Sequence, residues 1–179
     1  MTARLFMRMR PDLNLIAETG GKNTMIITGM ADRDQAIKDL VGSAFGHSGQ
    51  KCSACSLVIL EDELYEDDDF LHQLKDAAES LSFGDPFSLR HYSGPLIGEP
   101  SSHLKRALTV CDKGESWLLK PEVSPLSSTL WRPGIKLGVL PGSFFHQTEC
   151  FGPVLGVMRA SCLAEAIKIA NGTSYGLTA

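Results

Sequence analysis

The sequence lacks a GxGxxG motif, a long apolar run and a cluster of basic residues. GxGxxG is the loop that cradles a dinucleotide pyrophosphate, so the chain has no self-contained dinucleotide fingerprint. No apolar run is long enough to span a bilayer. The formal net charge is −4, which argues against a nucleic-acid surface. With 179 residues, 43% of them hydrophobic, the chain is predicted to form about one globular domain.

The cysteines give no sign of a disulfide framework. They are odd in number and scattered: Cys52, Cys55, Cys111, Cys150 and Cys162. Such a set without a recognisable signal peptide is typical of reduced thiols, and a cytoplasmic location is predicted. Three arginines precede Pro11, but Asp12 follows too early for a transit peptide. We predict a short helix that ends before Pro11.

Segments with strand and helix patterns alternate along the chain. This order predicts an α/β fold with a mainly parallel open sheet and flanking helices. Strands are predicted over 13–18, 24–28, 56–60, 117–120, 135–140 and 153–159. Helices are predicted over 32–46, with a capping box of Asp32 and Gln35, and over 62–81, 101–112 and 162–170, the last capped by Ser161. The segment 113–129 is predicted to be rich in loops.

The acidic run at 66–69 has two interpretations. A metal site is disfavoured because adjacent carboxylates on one helix converge poorly on one ion. The run is instead predicted to be the solvated first turn of a helix, where the helix dipole favours negative charge. No metal site is predicted.

Cys52 lies in GHSGQKCSAC, a glycine-containing loop that follows a predicted helix. A thiol on such a loop can be exposed, and the neighbouring Lys51 favours its thiolate. A thiolate can attack a carbonyl without a strong base beside it. The alternative is a buried structural cysteine, since free cysteine is among the most buried residue types. Cys52 and Cys55 also form a CxxC, but no second CxxC and no thioredoxin-like context support a zinc or redox module.

Glu18 is predicted to end an otherwise apolar strand, where open parallel sheets place their sites. A partly desolvated carboxylate there would suit a general base. The alternative is an ordinary rim glutamate that binds the N–H groups of the glycines after it. Further along, Glu149 and Phe151 flank a loop in ThrGluCysPheGlyPro. A glutamate can hold a ribose diol, and an aromatic ring can pack on a nicotinamide face.

Five segments occur in an order that resembles the aldehyde dehydrogenase superfamily. They are AETGGKN (17–23), FGHSGQKCSA (45–54), GDPF (84–87), TECFGPV (148–154) and NGTSYGLTA (171–179). The longer stretches IAETGGKNTMIIT, SGPLIGEPS and PGSFFHQTECFGPVLGVMRA are similar to the 1-pyrroline-5-carboxylate (L-glutamate γ-semialdehyde) dehydrogenase branch. That branch includes a module of bifunctional proline-utilisation proteins.

The resemblance implies a role for each candidate residue. Cys52 matches the nucleophile and Glu18 the general base, while Gly20, Glu149 and Phe151 match positions that contact the cofactor NAD. The thiolate would add to a small aldehyde substrate, with the Cys52 N–H as one oxyanion donor. Loss of hydride to NAD would leave a thioester, which water activated by Glu18 would hydrolyse.

The resemblance also implies that this chain is part of a longer enzyme. Residues 1–18 would lead from the cofactor domain to the general base, and 19–179 would be a catalytic domain truncated at both ends. The family's upstream cofactor site and downstream substrate loop are not in the sequence. The parent enzyme is expected to be a homo-oligomer. Two alternatives remain: a dehydrogenase for another aldehyde, and a non-catalytic copy of the fold.

Overall fold

The computed structural model describes residues 2–179 as a five-stranded sheet between helical layers, with a separate two-stranded hairpin. The strands are β1 (Asn23–Ile27), β2 (Cys55–Glu61), β3 (Ser116–Leu119), β4 (Val123–Ser124), β5 (Ser127–Trp131), β6 (Gly134–Leu137) and β7 (Val154–Ala160). The helices are α1 (Thr2–Met9), α2 (Arg33–Phe45), α3 (Asp62–Tyr65), α4 (Asp68–Glu79), α5 (Ser102–Thr109), α6 (Phe144–Gln147) and α7 (Leu163–Ala170).

The large sheet has the order β1-β2-β7-β6-β3. The pairs β1–β2, β2–β7 and β6–β7 are parallel, and β3 joins β6 antiparallel at the edge. The predicted α/β fold with a mainly parallel open sheet is therefore confirmed. Among residues 2–179, no helix combines the length and the apolar character needed to cross a bilayer.

Strand β2 explains why helices cover both faces of the sheet. Its side chains alternate in direction, and those on both sides are apolar, as expected for a central parallel strand. Val58 and Leu60 pack with the buried residues of α2 and α4. Leu57 and Ile59 pack with those of α5 and α7 on the opposite face. All four side chains are fully buried, so the sheet lies between two apolar layers.

The predicted start of α2 is confirmed at Asp32, with one difference. The Asp32 carboxylate accepts a hydrogen bond from the Gln35 N–H at 3.0 Å, which satisfies a free donor of the first turn. The Gln35 side chain does not return to Asp32 but bonds Asp39 at 2.8 Å. The acidic run behaves as predicted: Asp67 caps α4 through the Phe70 N–H.

The prediction of a strand over 13–18 is wrong. The structure has irregular backbone there, and Ile16 is 88% exposed. The run is apolar, but it has no neighbouring strand with which to pair. Strand β1 begins only at Asn23, after the two glycines, so Glu18 precedes a strand rather than ending one.

Other boundaries differ in smaller ways. The helix predicted over 62–81 is interrupted after Tyr65 and continues as α4. The last helix is capped at Cys162 without a side-chain bond, while the Ser161 N–H and hydroxyl both bond Glu165. Part of the segment predicted to be loop-rich forms the β4–β5 hairpin.

Candidate active site

The candidate residues precede three adjacent parallel strands. Glu18 lies before β1, Cys52 before β2 and the Glu149–Phe151 loop before β7. Because β1, β2 and β7 are parallel neighbours, their amino ends lie side by side at the same end of the sheet. Sequence reasoning placed Glu18 at a carboxyl end, and this was wrong because the strand over 13–18 does not form.

The Cys52 loop makes a sharp turn through left-handed backbone. A 3-10 turn over Gly46–Gly49 contains His47, Ser48 and Gly49 at φ values of 55°, 56° and 67°. A Cβ at Gly49 would lie 2.2 Å from the Gly152 carbonyl oxygen. Glycine therefore allows the loop before β2 to contact the loop before β7. Cys52 itself is exposed, as the sequence predicted for a nucleophile.

Two serines hold this turn, and sequence reasoning missed both. The Ser48 N–H donates to Ser93 Oγ at 2.6 Å, and the two hydroxyls lie 2.9 Å apart. The Ser48 hydroxyl also donates to the Gly94 carbonyl. Both serines are buried. These short buried hydrogen bonds resist opening of the turn. The course of the main chain that leads to Cys52 is therefore held by a segment outside the loop.

Residues 20–23 connect Glu18 to both other loops. The Gly21 N–H donates to Glu149 Oε1 at 3.0 Å. A Cβ at Gly21 would lie 2.9 Å from the Cys52 carbonyl oxygen. The amide Nδ2 of Asn23 donates to the carbonyls of Cys52 at 2.6 Å and Ala54 at 3.0 Å. The segment after Glu18 therefore contacts the nucleophile loop directly.

Glu18 does not have the surroundings that the sequence suggested. Its side chain is exposed, so the expected partial desolvation is absent. Gly20, predicted to contact the cofactor, lies against Glu149: a Cβ there would be 1.9 Å from Oε2. Only glycine allows the carboxylate of Glu149 to lie over the main chain at this point.

Phe151 has a strained backbone and an accessible ring. Its φ is 58°, a conformation uncommon for a side chain of this size, and its side chain is 44% exposed. Strain of this kind persists only where the surroundings enforce it, and it concentrates at binding sites. The neighbouring Cys150 is buried, and burial raises the pKa of its thiol.

Lys22 is a charged residue of this region that sequence reasoning missed. Its side chain is 4% exposed, and Nζ lies 4.0 Å from the centroid of the Phe145 ring. Nζ has no hydrogen-bond partner among the described residues. Burial lowers the pKa of Lys22 to about 8, and the charges of Cys150 and Cys55 partly oppose this. Lys22 and Glu149 line a cavity of about 20 Å³, room for about one water.

The structure gives the CxxC no zinc or redox geometry. Cys52 is exposed, whereas Cys55 is buried and donates its thiol to the Leu57 carbonyl at 3.1 Å. Burial raises the pKa of Cys55 to about 12, which disfavours the thiolate that a metal requires. Within residues 2–179, no three His, Cys, Asp or Glu side chains cluster as metal ligands.

Comparison with known proteins identifies the family. The profile described as "Aldehyde dehydrogenase family" matches residues 7–179. The chain belongs to the aldehyde dehydrogenase family. A curated member, 1-pyrroline-5-carboxylate dehydrogenase of Geobacillus thermodenitrificans, is 34% identical over 165 residues, which are 92% of this chain and 32% of the relative.

Solved aldehyde dehydrogenase structures have the same fold. Proline utilization A from Corynebacterium freiburgense superposes with a TM-score of 0.88 at 49% identity, over 94% of this chain and 17% of that one. A 1-pyrroline-5-carboxylate dehydrogenase from Thermus with bound NAD gives a TM-score of 0.78 at 35% identity, over 89% and 31%. The chain spans about a third of the length of the curated relatives it matches.

Proposed function

We propose that this chain is a segment of an NAD-dependent aldehyde dehydrogenase that oxidises L-glutamate γ-semialdehyde to L-glutamate in proline catabolism. The names of the relatives support the substrate, and the 49% identity to a proline utilization A supports the pathway. The observation that carries the chemistry is the meeting of three loops at the amino ends of β1, β2 and β7.

Cys52 is the nucleophile in this proposal. Its side chain is exposed on a loop held from both sides, by Ser93 through the preceding turn and by Asn23 through its own carbonyl. Its sulfur adds to the aldehyde carbon, and the oxygen accepts a hydrogen bond from the Cys52 N–H. After oxidation the substrate remains on the sulfur as a thioester.

Glu18 is the general base of the second half of the reaction. It takes a proton from water, which attacks the thioester and releases the acid and the thiolate. Its exposed side chain is free to rotate. The end of the segment that follows Glu18 lies against the Cys52 carbonyl, since a Cβ at Gly21 would be 2.9 Å from its oxygen.

The residues at this edge fit a nicotinamide riboside. NAD would supply the hydride acceptor. Gly20 and the Gly21 N–H orient the Glu149 carboxylate, which retains acceptor capacity for a ribose diol. Phe151 offers an exposed ring face. In this proposal 19–179 form part of the catalytic domain, 1–18 lead from the cofactor domain, and the enzyme is a cytoplasmic homo-oligomer.

Site variants in the natural protein that contains this chain test the proposal. Cys52→Ser should abolish NAD reduction with glutamate semialdehyde. Glu18→Gln should retain a first-turnover burst of NADH but lose steady-state turnover by about 100-fold or more, because only hydrolysis needs the base. Cys162→Ser, at an exposed thiol outside the site, is the control.

Each alternative predicts a different result. A dehydrogenase for another aldehyde would show a higher kcat/KM with that aldehyde than with glutamate semialdehyde. A non-catalytic copy of the fold would show no turnover in the wild type. Unchanged activity of Cys52→Ser would contradict the assigned nucleophile.

A further inference from the structure

We propose that Asn23 is a positioning residue for Cys52. This inference rests on the proposed function, because it assigns Asn23 the task of fixing the nucleophile loop for attack. The side chain of Asn23 is 4% exposed and lies at the first residue of β1. Its amide binds both ends of the tripeptide that begins with the nucleophile, donating to the carbonyls of Cys52 and Ala54.

The orientation of this amide follows from its neighbours. Both groups within reach of Nδ2, at 2.6 and 3.0 Å, are main-chain carbonyls, which only accept hydrogen bonds. The NH2 group of Asn23 must therefore face them, since its oxygen would be repelled. An amide supplies two donors at this position. A carboxylate of the same shape supplies none, which makes Asn23→Asp an isosteric test.

Two further hydrogen bonds hold the main chain at the end of this tripeptide. The Ala54 N–H donates to the Lys51 carbonyl at 3.1 Å, and the Cys55 N–H donates to Ser43 Oγ at 3.1 Å. These bonds join the loop to α2 on one side and close its turn on the other. With Asn23 they fix the main chain directly before and after Cys52.

An exposed nucleophile needs such main-chain support. The Cys52 side chain is exposed, so packing around the thiol does little to fix its direction. Displacement of an attacking atom by about 1 Å can lower a rate by about 100-fold. Two buried hydrogen bonds from Asn23 restrict the Cys52 backbone instead. Because they act on main chain, they orient the sulfur without touching the substrate.

The test compares Asn23→Asp with two other variants of the full chain. Asn23→Ser keeps one shorter donor and should give an intermediate effect. Asn171→Ala is the matched control, because Asn171 also donates its amide to a main-chain carbonyl, that of Ile167 at 3.0 Å, but at an exposed helix end. Hydrogen exchange of the β7 peptide at 154–160 reports whether each variant is folded.

Three measurements on each variant separate loss of the support from Asn23 from loss of the fold. Hydrogen exchange of the Ala54 and Cys55 amides should accelerate by about tenfold or more in Asn23→Asp. Acylation of Cys52 by p-nitrophenyl acetate should slow by about 10- to 100-fold. At each pH, the rate of alkylation of Cys52 by iodoacetamide should differ by less than about threefold between Asn23→Ser and wild type, because this rate depends on thiolate character and exposure rather than on the direction of the thiol.

The outcomes distinguish this inference from the proposed function. Unchanged hydrogen exchange at Ala54 and Cys55 would overturn the proposal that Asn23 restricts the main chain of this loop. Faster exchange with acylation equal to wild type would overturn the positioning role. If wild-type Cys52 is alkylated but never acylated, the proposed function fails and the positioning role fails with it. Accelerated exchange together with slowed acylation, intermediate in Asn23→Ser and absent in Asn171→Ala, supports the inference.

Discussion

The five cysteines differ in burial, and this difference predicts their order of reactivity. Burial raises the pKa of the Cys55 thiol to about 12 and raises the pKa values of Cys150 and of Cys111. Cys52 and Cys162 are exposed, but only Cys52 follows a lysine, while Cys162 lies near Glu165. Limiting iodoacetamide followed by peptide mapping should label Cys52 first. Faster labelling of Cys162 would contradict the assignment.

Cys162 also corrects an expectation from the sequence. The sequence analysis placed it as the first residue of the last helix, but it is exposed at the N-cap of α7. Cys162 is therefore the proper reference for Cys52 in the alkylation experiment, because both thiols are exposed but their charged neighbours differ.

Lys22 should make stability depend on pH in the alkaline range. Its pKa falls from 10.5 to about 8 through burial. Between these values the unfolded chain holds a proton that the native chain lacks, so stability rises with pH there. Below pH 8 the full penalty of about 3 kcal/mol applies. Lys22→Met should therefore be more stable than wild type at pH 7, by up to that amount.

Urea unfolding at pH 7 and pH 10 measures this difference. The difference in unfolding free energy between Lys22→Met and wild type should narrow at pH 10. Native Lys22 is then neutral, so most of the cost of burying its charge has disappeared. Taking the difference between the two proteins cancels groups that titrate in both. Lys105→Met, at an exposed position, is the control. A gap of equal size at both pH values would contradict the lowered pKa.

At the scale of elements, one buried ion pair joins β6 to the turn before β3. Lys136 Nζ lies 2.9 Å from Glu115 Oε2, and both side chains are 2% exposed. Lys136→Met should cost about 3–5 kcal/mol in urea unfolding, because it leaves a buried carboxylate unpaired. Adding Glu115→Gln should recover part of this loss. Additive effects of the two substitutions would contradict coupling within the pair.

Sequence reasoning placed well those elements in which apolar residues recur regularly along the chain. The predicted helix α2 buries an apolar stripe that includes Ile37, Leu40 and Val41, and such a stripe is visible in the sequence as a helical repeat of apolar residues. The 13–18 segment is equally apolar but has no partner strand, which no local pattern records. The β4–β5 hairpin was missed because a strand of two residues shows no period.

At the scale of the whole molecule, sequence reasoning placed Cys52 and Phe151 before their strands, as the structure does, but placed Glu18 at the carboxyl end of a strand that does not form. Glu18, Cys52 and Phe151 precede parallel neighbours, so adjacency in the sheet brings their loops together. The supporting contacts could not be predicted. Ser48 meets Ser93 across 45 positions, and Gly21 meets Glu149 across 128, and nothing in local sequence signals such pairs.

The first residues of the chain should contribute little to its stability. None of the residues of α1 (Thr2–Met9) is buried, and Leu5, Phe6 and Met9 are 53%, 45% and 71% exposed. A helix this short is marginal in water without packing, since isolated helices need about 12–15 residues. Trypsin should therefore cut readily after Arg4 and Arg8, while Arg159, within β7, resists.

The trimmed chain should unfold within about 2 °C of the full chain, because almost no buried apolar surface is lost. Differential scanning calorimetry before and after brief digestion measures this directly, with mass spectrometry to confirm a product that begins at Met9. A decrease of more than about 5 °C would show that α1 packs against the sheet in solution. Primary cleavage inside a strand of the five-stranded sheet or inside α2, α4, α5 or α7 would contradict the stability assigned to the two apolar layers, since native strands and helices reach proteases only after they open.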